Sequence, residues 1–428
     1  MIAPIVMKFG GAALGDGARV RQAARLVAER SAERPIVVVS AASGVTDLLE
    51  RAARDAATGT VDARTIRLRH RGLLSQLGLE PELLNRLLTE LGFVLDAVRT
   101  KGRLEPRERD VILSFGERMS ARVFAPVLRR EGLEASPVDA FDLGLTSDSN
   151  YGRARPLPAA TTAMARALAA IPGVPVVTGF LAIDPQGDLT TLGRNGSDLT
   201  AALVGEAVRA KEVQFWKTVD GVMTADPKVV PSARAVENLS WREAALLGFF
   251  GAKVLFPEAL EPLERARIAA RVCSVDRANE PGTRVDAGTS NDGPRAIACR
   301  RRVVRVAVEL GGLEARAERR SRFLAALADA QLELYALDEG PDELVCVVGE
   351  SEQLATVLQI ARARASVTRD LALVTLVGRA APELETLPVR AAWVRPESVS
   401  LLVDEAELER TARELHTRCF EASAPSLA

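Results

Sequence analysis

The sequence predicts an α/β protein, with a mainly parallel sheet covered by helices on both faces, followed by smaller ferredoxin-like modules. Three observations carry this reading. Up to residue 287, short continuous apolar runs alternate with amphipathic segments of helical period, the pattern of buried parallel strands and crossover helices. The composition then turns to small polar residues, AGTSNDGP at 287–294, which reads as a linker. Beyond it the order is strand, helix, strand, strand, helix, strand, the split βαβ plan, present as one full copy and one shortened partner.

The elements follow in order. The opening residues to Lys8 form a buried strand, and Val20, Ala23, Ala24 and Val27 put a helix over Ala18–Arg30 after a small-residue turn. PIVVVS, residues 35–40, is a second apolar strand, followed by a helix starting near Thr46, placed as its N-cap. Helical patterns run through 64–76, 82–99 and 106–130, the last with Pro106 at a first helical position. Strands recur at 175–178 and 213–218. In the second region, strands are expected at 303–310, 332–336, 344–348, 371–377 and 398–403, and helices at 322–330, 351–364 and 405–420. The predicted domains are residues 1–290 and 298–428, the latter divided at about 371.

At roughly 150 residues per domain, 428 residues correspond to two or three domains, and 47% hydrophobic residues exclude disorder, collagen and a simple coiled coil. The 56 basic and 57 acidic residues leave a net charge of −1, so bulk electrostatics call for neither nucleic acid nor an anionic membrane. The expected partner is small. Only six of the basic residues are lysine (Lys8, Lys101, Lys211, Lys217, Lys228, Lys253), which singles each out, because an ammonium and a guanidinium are not interchangeable. Cys273, Cys299, Cys346 and Cys419 show neither metal-ligand spacing nor a disulfide framework. The opening MIAPIVMKFGG lacks the features of a signal peptide, and no apolar run reaches about 18 residues, so a cytoplasmic protein is expected. With only His70 and His416 available, the chemistry is expected to manage without imidazole.

Five segments could carry that chemistry. In MKFGGAALGDG a lysine ends a strand before a Gly-Gly turn; free amides, a helix start and an ammonium suit a phosphoryl group, although an ordinary strand-to-helix turn reads the same way. It is not a Walker A loop, since no GK[ST] closes it. In TTLGRNGSDLTA, residues 190–201, two glycines frame Arg194, and Ser197-Asp198 open an apolar helix. The arginine suits a carboxylate, and the Ser-Asp pair suits either an anion site or a plain helix cap. SFGERMS, residues 114–120, lies in a helix with an apolar stripe of Ile112, Phe115, Met119 and Val123; Glu117 falls off that stripe, where a solvated side chain is the ordinary expectation. WKTVDGVMTADPK, residues 216–228, is a strand running into a turn. FFGAKVLFP, residues 249–257, places Lys253 among apolar residues, where it either meets an anion or snorkels.

Taken together, in this order and spacing, these segments and the VVVSAASGVTDLL stretch resemble aspartate kinase of the amino acid kinase family, and the closing SVSLLVDEAELERTARELHTRCF resembles the end of that family's regulatory ACT region. The resemblance implies a three-layer αβα kinase fold with tandem ACT modules, the second shortened, and phosphoryl transfer from ATP to the side-chain carboxylate of L-aspartate. It implies aspartate-binding roles for Thr46, Glu117, Arg194 and Ser197, and catalytic roles for Lys8 and Asp198. It implies nucleotide contacts from Lys8, Gly10, Gly11, Lys217, Thr218, Asp220, Met223, Lys228, Lys253 and Val254. Mg²⁺ would be held mainly by ATP, without direct protein ligands, and two copies would pair through the ACT region.

Departures are equally specific. Ala12 and Ala13 stand where the family has hydroxyl residues, removing two possible hydrogen bonds to phosphate or substrate. Lys217-Thr218 replaces a common Thr-Asp, Met223 a tyrosine, Lys228 an arginine and Phe256 a histidine. The charged run EARAERRSRF, residues 314–323, occupies the place of the Gly-containing effector loop, so lysine or threonine is expected to bind weakly or not at all. Between Gly378 and Ser398 there are too few residues for the expected helix plus strand. Two other readings are a kinase for a different amino diacid and a non-catalytic ACT-bearing partner; retention of Lys8, Arg194, Ser197 and Asp198 argues against the latter.

Overall fold

The computed structural model describes residues 3–252, 256–288, 293–311, 313–360, 364–379, 384 and 386–421. Two compact units emerge: Met1–Val222 with Glu237–Trp241 and Val254–Gly288, and Met223–Val236 with Arg242–Lys253 and Thr289–Ala428. The division does not follow the chain linearly, since residues 223–236 and 242–253 belong with the second unit although they precede residue 290.

In the first unit the chain runs β1 (Ile5–Phe9), α1 (Gly17–Glu29), β2 (Ile36–Val39), α2 (Val45–Ala57), α3 (Arg64–Leu77), α4 (Asn85–Lys101), α5 (Pro106–Arg130), β3 (Ala135–Val138), α6 (Ala160–Ala169), β4 (Val174–Thr178), β5 (Leu181–Ile183), β6 (Leu189–Thr191), α7 (Gly196–Val208) and β7 (Glu212–Lys217). It continues with β8 (Asn238–Ser240), α8 (Trp241–Phe249), most of which belongs to the second unit, then α9 (Pro257–Ala266), β9 (Ala269–Ser274) and β10 (Thr283–Asp286). The main sheet has the order β3-β4-β2-β1-β7-β9-β10-β8 and is parallel except where β10 meets β9. β1 and β2 are buried at every position, as expected for strands covered on both faces. From β1 the order runs to β2 on one side and β7 on the other, so the crevice beyond the carboxyl ends of β1 and β7 is where this kind of sheet binds ligands.

α5 is the central helix, and its 25 residues begin with a capping box between Glu105 and Glu108. Ile112, Phe115, Met119 and Val123 are buried, as their spacing predicts, each contributing about 1.5–3 kcal/mol through burial. The opposite face is buried too, because α5 packs against α2 and α4 as well as against the sheet strands. Thr46 is not the N-cap of α2: that position is Gly44, in the left-handed region at φ 78°, and Thr46 lies in the first turn with its side chain exposed.

The second unit is an antiparallel sheet of order β12-β13-β11-β14-β16-β15. Its elements are β11 (Gly293–Glu309), α10 (Leu313–Asp329), β12 (Leu334–Glu339), β13 (Glu343–Gly349), α11 (Leu354–Ile360), β14 (Ala365–Arg379), β15 (Ala391–Arg395), β16 (Ser398–Asp404) and α12 (Leu408–His416). β11 and β14 are long enough to serve two modules, each breaking at a residue with positive φ, Arg302 (57°) and Asp370 (56°). One module uses β12-β13-β11-β14 with α10 and α11. The other uses β15-β16-β14-β11 with α12, and takes as its fourth strand the first half of β11, which precedes it in the chain.

The short segment before Ser398, too short for a helix plus a strand, holds a strand, β15, and no helix occurs there among the described residues; residues 380–383 and 385 lie outside them. One expectation is corrected. The charged run is helical rather than a loop, since α10 starts at Leu313, nine residues before the predicted helix. Phe323, Ala326 and Leu327 are buried in its core, while Arg316 donates to the Gly340 carbonyl (2.6 Å) and Arg320 to Glu339 (3.1 Å).

Candidate functional site

A cleft of about 660 Å³ opens in the first unit, lined by residues from the β1–α1 turn, the start of α2, the middle of α5 and the β6–α7 turn. It lies at the carboxyl end of β1, where the strand-to-helix turns converge. A Cβ on Gly11 would sit 2.7 Å from the Ala41 carbonyl oxygen, so a glycine is what allows the turns after β1 and β2 to touch. Ser43 N–H donates to the Gly11 carbonyl at 3.1 Å and ties them together. Asn195, at φ 63°, turns the chain into α7.

Parallel pairing puts Lys8 opposite Phe215, and Lys217 lies two residues further along β7, so both lysines project from the same sheet face. Asp198, in the first turn of α7, meets both. Lys8 Nζ lies 2.5 Å from Asp198 Oδ1 and Lys217 Nζ 3.2 Å from Oδ2. Burial alone would raise the Asp198 carboxyl, but the two ammonium groups outweigh it and hold the group below its usual range. Burial, helped by the Lys8 charge, pushes Lys217 down, against the pull of Asp198. Lys217 Nζ also lies 5.5 Å from the ring centroid of Phe256.

Glu117 is only 5% exposed, which corrects the solvated position its helical phase suggested. Oε1 accepts the Ala41 amide at 3.0 Å, and Oε2 has no hydrogen-bond partner among the described residues. Burial pushes its pKa up to about 7, against the Ala41 amide, the Lys8 charge and the Ser197 hydroxyl, which favour the anion. Thr46, Arg194 and Ser197 line the same cleft. Arg194 is exposed and forms no ion pair or hydrogen bond among the described residues. One cleft therefore gathers a buried carboxylate, Glu117, an exposed guanidinium, Arg194, and the Lys8–Asp198 pair, with Lys217 joined to it through Asp198.

The other expected positions divide. Gly10 and Gly11 follow Lys8 beyond Phe9, and Gly11 lines the cleft. Thr218 is exposed just past β7, and Asp220 accepts a hydrogen bond from Ser274 Oγ at 3.1 Å and pairs with Arg277 at 3.3 Å. Met223 and Lys228 belong to the second unit, Lys228 exposed. Lys253 and Val254 lie outside the described residues. Ala12 lines the cleft but Ala13 is fully buried in the core, so at most one hydroxyl, not two, is missing from the site. Neither histidine lines the cleft: His70 Nδ1 lies 2.8 Å from the Ile66 carbonyl, and His416 Nε2 pairs with Thr224 Oγ1 at 2.9 Å in the second unit.

Sequence reasoning missed Arg109 and Glu50, which pair at 2.9 Å on the cleft wall, and the buried Asp110 with Thr191. One signal for Asp110 was available: it precedes Glu117 by seven residues, two helical turns, and therefore shares its face.

The amino acid kinase family profile matches residues 3–274. The chain is 35% identical to lysine-sensitive aspartokinase 3 of Escherichia coli over 307 residues, covering 69% of this chain and 67% of that protein. It is 36% identical to chloroplastic aspartokinase 1 of Arabidopsis thaliana over 290 residues, covering 65% of this chain and 51% of the relative. The chain thus spans about half the length of the Arabidopsis relatives it matches. Among solved structures, E. coli aspartokinase III in complex with aspartate and ADP is similar with a TM-score of 0.84 at 28% identity, covering 97% of this chain and all of that one.

Proposed function

The chain belongs to the amino acid kinase family, among its aspartokinases, and from that premise we propose that it transfers the γ-phosphoryl group of ATP to the side-chain carboxylate of L-aspartate, giving 4-phospho-L-aspartate, the first step of aspartate-family amino acid biosynthesis. The observation that carries this reading is the pairing in one cleft of a buried carboxylate, Glu117, and a guanidinium, Arg194, the one with an unpartnered oxygen and the other unpaired among the described residues, next to Lys8, Asp198 and Lys217.

In this reading ionised Glu117 accepts the α-ammonium, Arg194 takes the α-carboxylate, and Ser197 and Thr46 complete the amino-acid pocket. That grip leaves the side-chain carboxylate as the free end. Its reference pKa of about 3.9 makes it an anion at neutral pH, so no general base is needed. One carboxylate oxygen bonds to the γ-phosphorus as the bond to the bridging oxygen of ADP breaks; no proton moves. Catalysis reduces to alignment and charge neutralisation. Lys8 supplies a buried ammonium for the transferring group, Lys217 a second one toward the nucleotide, and Asp198 holds both in place. Gly10 and Gly11 let phosphate approach the backbone, with Thr218 and Asp220 assigned to the nucleotide. Both oxygens of Asp198 are already engaged by lysines, which suits a Mg²⁺ that arrives on ATP and supplies further neutralisation of phosphate charge.

The test is a coupled trap: with L-aspartate, Mg-ATP and hydroxylamine, the purified chain is expected to form aspartyl hydroxamate, and no product above a no-enzyme background would refute the assignment.

The proposed ACT-like region of residues 298–428, which is part of the second unit, is expected to be insensitive to the feedback amino acids. Support comes from α10, where the run that replaces a Gly-containing loop is helical and its Arg316 and Arg320 are already bound to Gly340 and Glu339. Isothermal calorimetry with L-lysine and with L-threonine should give no binding heat in the micromolar range, and a micromolar Kd for either would overturn this.

A further inference from the structure

We propose that Asp110 is a positioning residue that sets the span of the amino-acid pocket by clamping the Arg194 turn to the helix that carries Glu117; the inference rests on the aspartate reading of the cleft. Asp110 is fully buried in α5, two turns before Glu117 on the same face. Its carboxylate accepts three hydrogen bonds, all from one neighbourhood. Oδ2 takes the amides of Gly152 and Thr191, each at 2.8 Å, and Oδ1 takes the Thr191 hydroxyl at 2.9 Å.

Both partners border the turn that matters. Thr191 ends β6, and three residues later comes Arg194. Gly193, at φ 73°, packs so closely on the Gly152 strap that an added Cβ would lie 3.2 Å from the Gly152 carbonyl oxygen. Asp110 thus grips both supports of the turn presenting the guanidinium, from the helix presenting the carboxylate. Burial pushes its carboxyl up while the three donors favour the anion. A hydrophobic side chain of similar size would pack there as well but would leave the Gly152 and Thr191 amides unpaired.

Two groups that bind opposite ends of one small molecule must keep a fixed separation, and a misplacement of about 1 Å costs on the order of 100-fold. Loss of the clamp therefore falls on the amino acid and spares the nucleotide. Asparagine can keep both amide bonds through its carbonyl oxygen and still face the threonine hydroxyl.

The experiment compares the full chain with Asp110→Ala, Asp110→Asn and Thr191→Val. Asp110→Ala is expected to raise KM for L-aspartate by about tenfold or more with KM for ATP nearly unchanged, Asp110→Asn to restore most of the loss, and Thr191→Val to lie between. Hydrogen exchange should show the Gly152 and Thr191 amides losing protection in Asp110→Ala. A folded Asp110→Ala with unaltered KM for aspartate, or with both KM values raised alike, overturns the proposal. Should that variant not fold, Thr191→Val decides on the same two criteria. If the parent makes no hydroxamate, the aspartate reading fails separately, and unchanged exchange at those amides would refute the clamp on its own.

Discussion

Lys8→Arg is expected to lower kcat by about 100-fold or more, roughly 3 kcal/mol of transition-state stabilisation, while Lys101→Arg leaves it unchanged. Lys8 is 6% exposed, its ammonium lies 2.5 Å from Asp198, and a Cβ on Gly10 would lie 3.7 Å from it, so the site is cut to a compact point charge. A guanidinium is longer, planar and always charged, and would have to displace either Asp198 or the phosphoryl position it should neutralise. Lys101 sits at the end of α4, half exposed, paired with Glu105 and Glu108 on the surface, where an arginine does as well. The hydroxamate rate at saturating aspartate and ATP measures both. Equal tolerance of the two substitutions would remove Lys8 from the catalytic apparatus.

Glu117→Gln is expected to raise KM for L-aspartate by about 30- to 150-fold, roughly 2–3 kcal/mol, because a charge-assisted bond to the α-ammonium becomes a neutral one while kcat changes less. The pH dependence follows from the same group. In the free protein the carboxyl is pushed up to about 7 by burial, and the ammonium binds only its ionised form. Protons and substrate therefore compete: KM of the parent should be flat above pH 7 and rise toward about tenfold per unit below it. In the glutamine variant that inflection should vanish. Stability runs the opposite way. A carboxyl raised from 4.5 to about 7 on folding contributes stability that is complete below 4.5 and lost as pH rises through 7. Glu117→Gln should thus gain in melting temperature over the parent at pH 8 more than at pH 4. A KM within twofold of the parent at pH 8, or an inflection that persists in the variant, would displace Glu117 from the pocket.

Much of this was legible from residues alone because it is local. A run such as IVMKF in β1 or PIVVV leading into β2 has no polar face, so only a sheet covered on both sides can hold it. Pro106 and the Glu105–Glu108 box mark the start of α5 within the first turn. The family resemblance carried by the KFGG, SFGE and GRNGSD segments named residues of the cleft, and Glu117, Arg194, Ser197 and Asp198 all line it. The misreadings were non-local. Thr46 looked like a cap, but Gly44 takes that position because the β2–α2 turn bends through positive φ. Ala12 and Ala13 looked equivalent, yet the short helical turn after Gly10 sends one into the cleft and the other into the core.

By itself, then, the sequence determined the alternation of elements, the family and the identity of the polar residues that gather at the carboxyl ends of the strands, because periodicity, turn chemistry and motif spacing are written along the chain. Only the tertiary structure decided which of those residues are desolvated and what they face. α5 is enclosed on all sides, so a glutamate in a polar helical phase becomes a buried carboxyl poised near neutrality. Asp198 stands between two lysines because β1 and β7 are neighbours in a parallel sheet, although Lys8 and Lys217 are far apart in the chain. Asp110 acquires its partners the same way, from a strap and a strand end that come after it in the chain. Burial and cross-chain neighbours set charge state and geometry, and neither can be read from a residue's own surroundings in sequence.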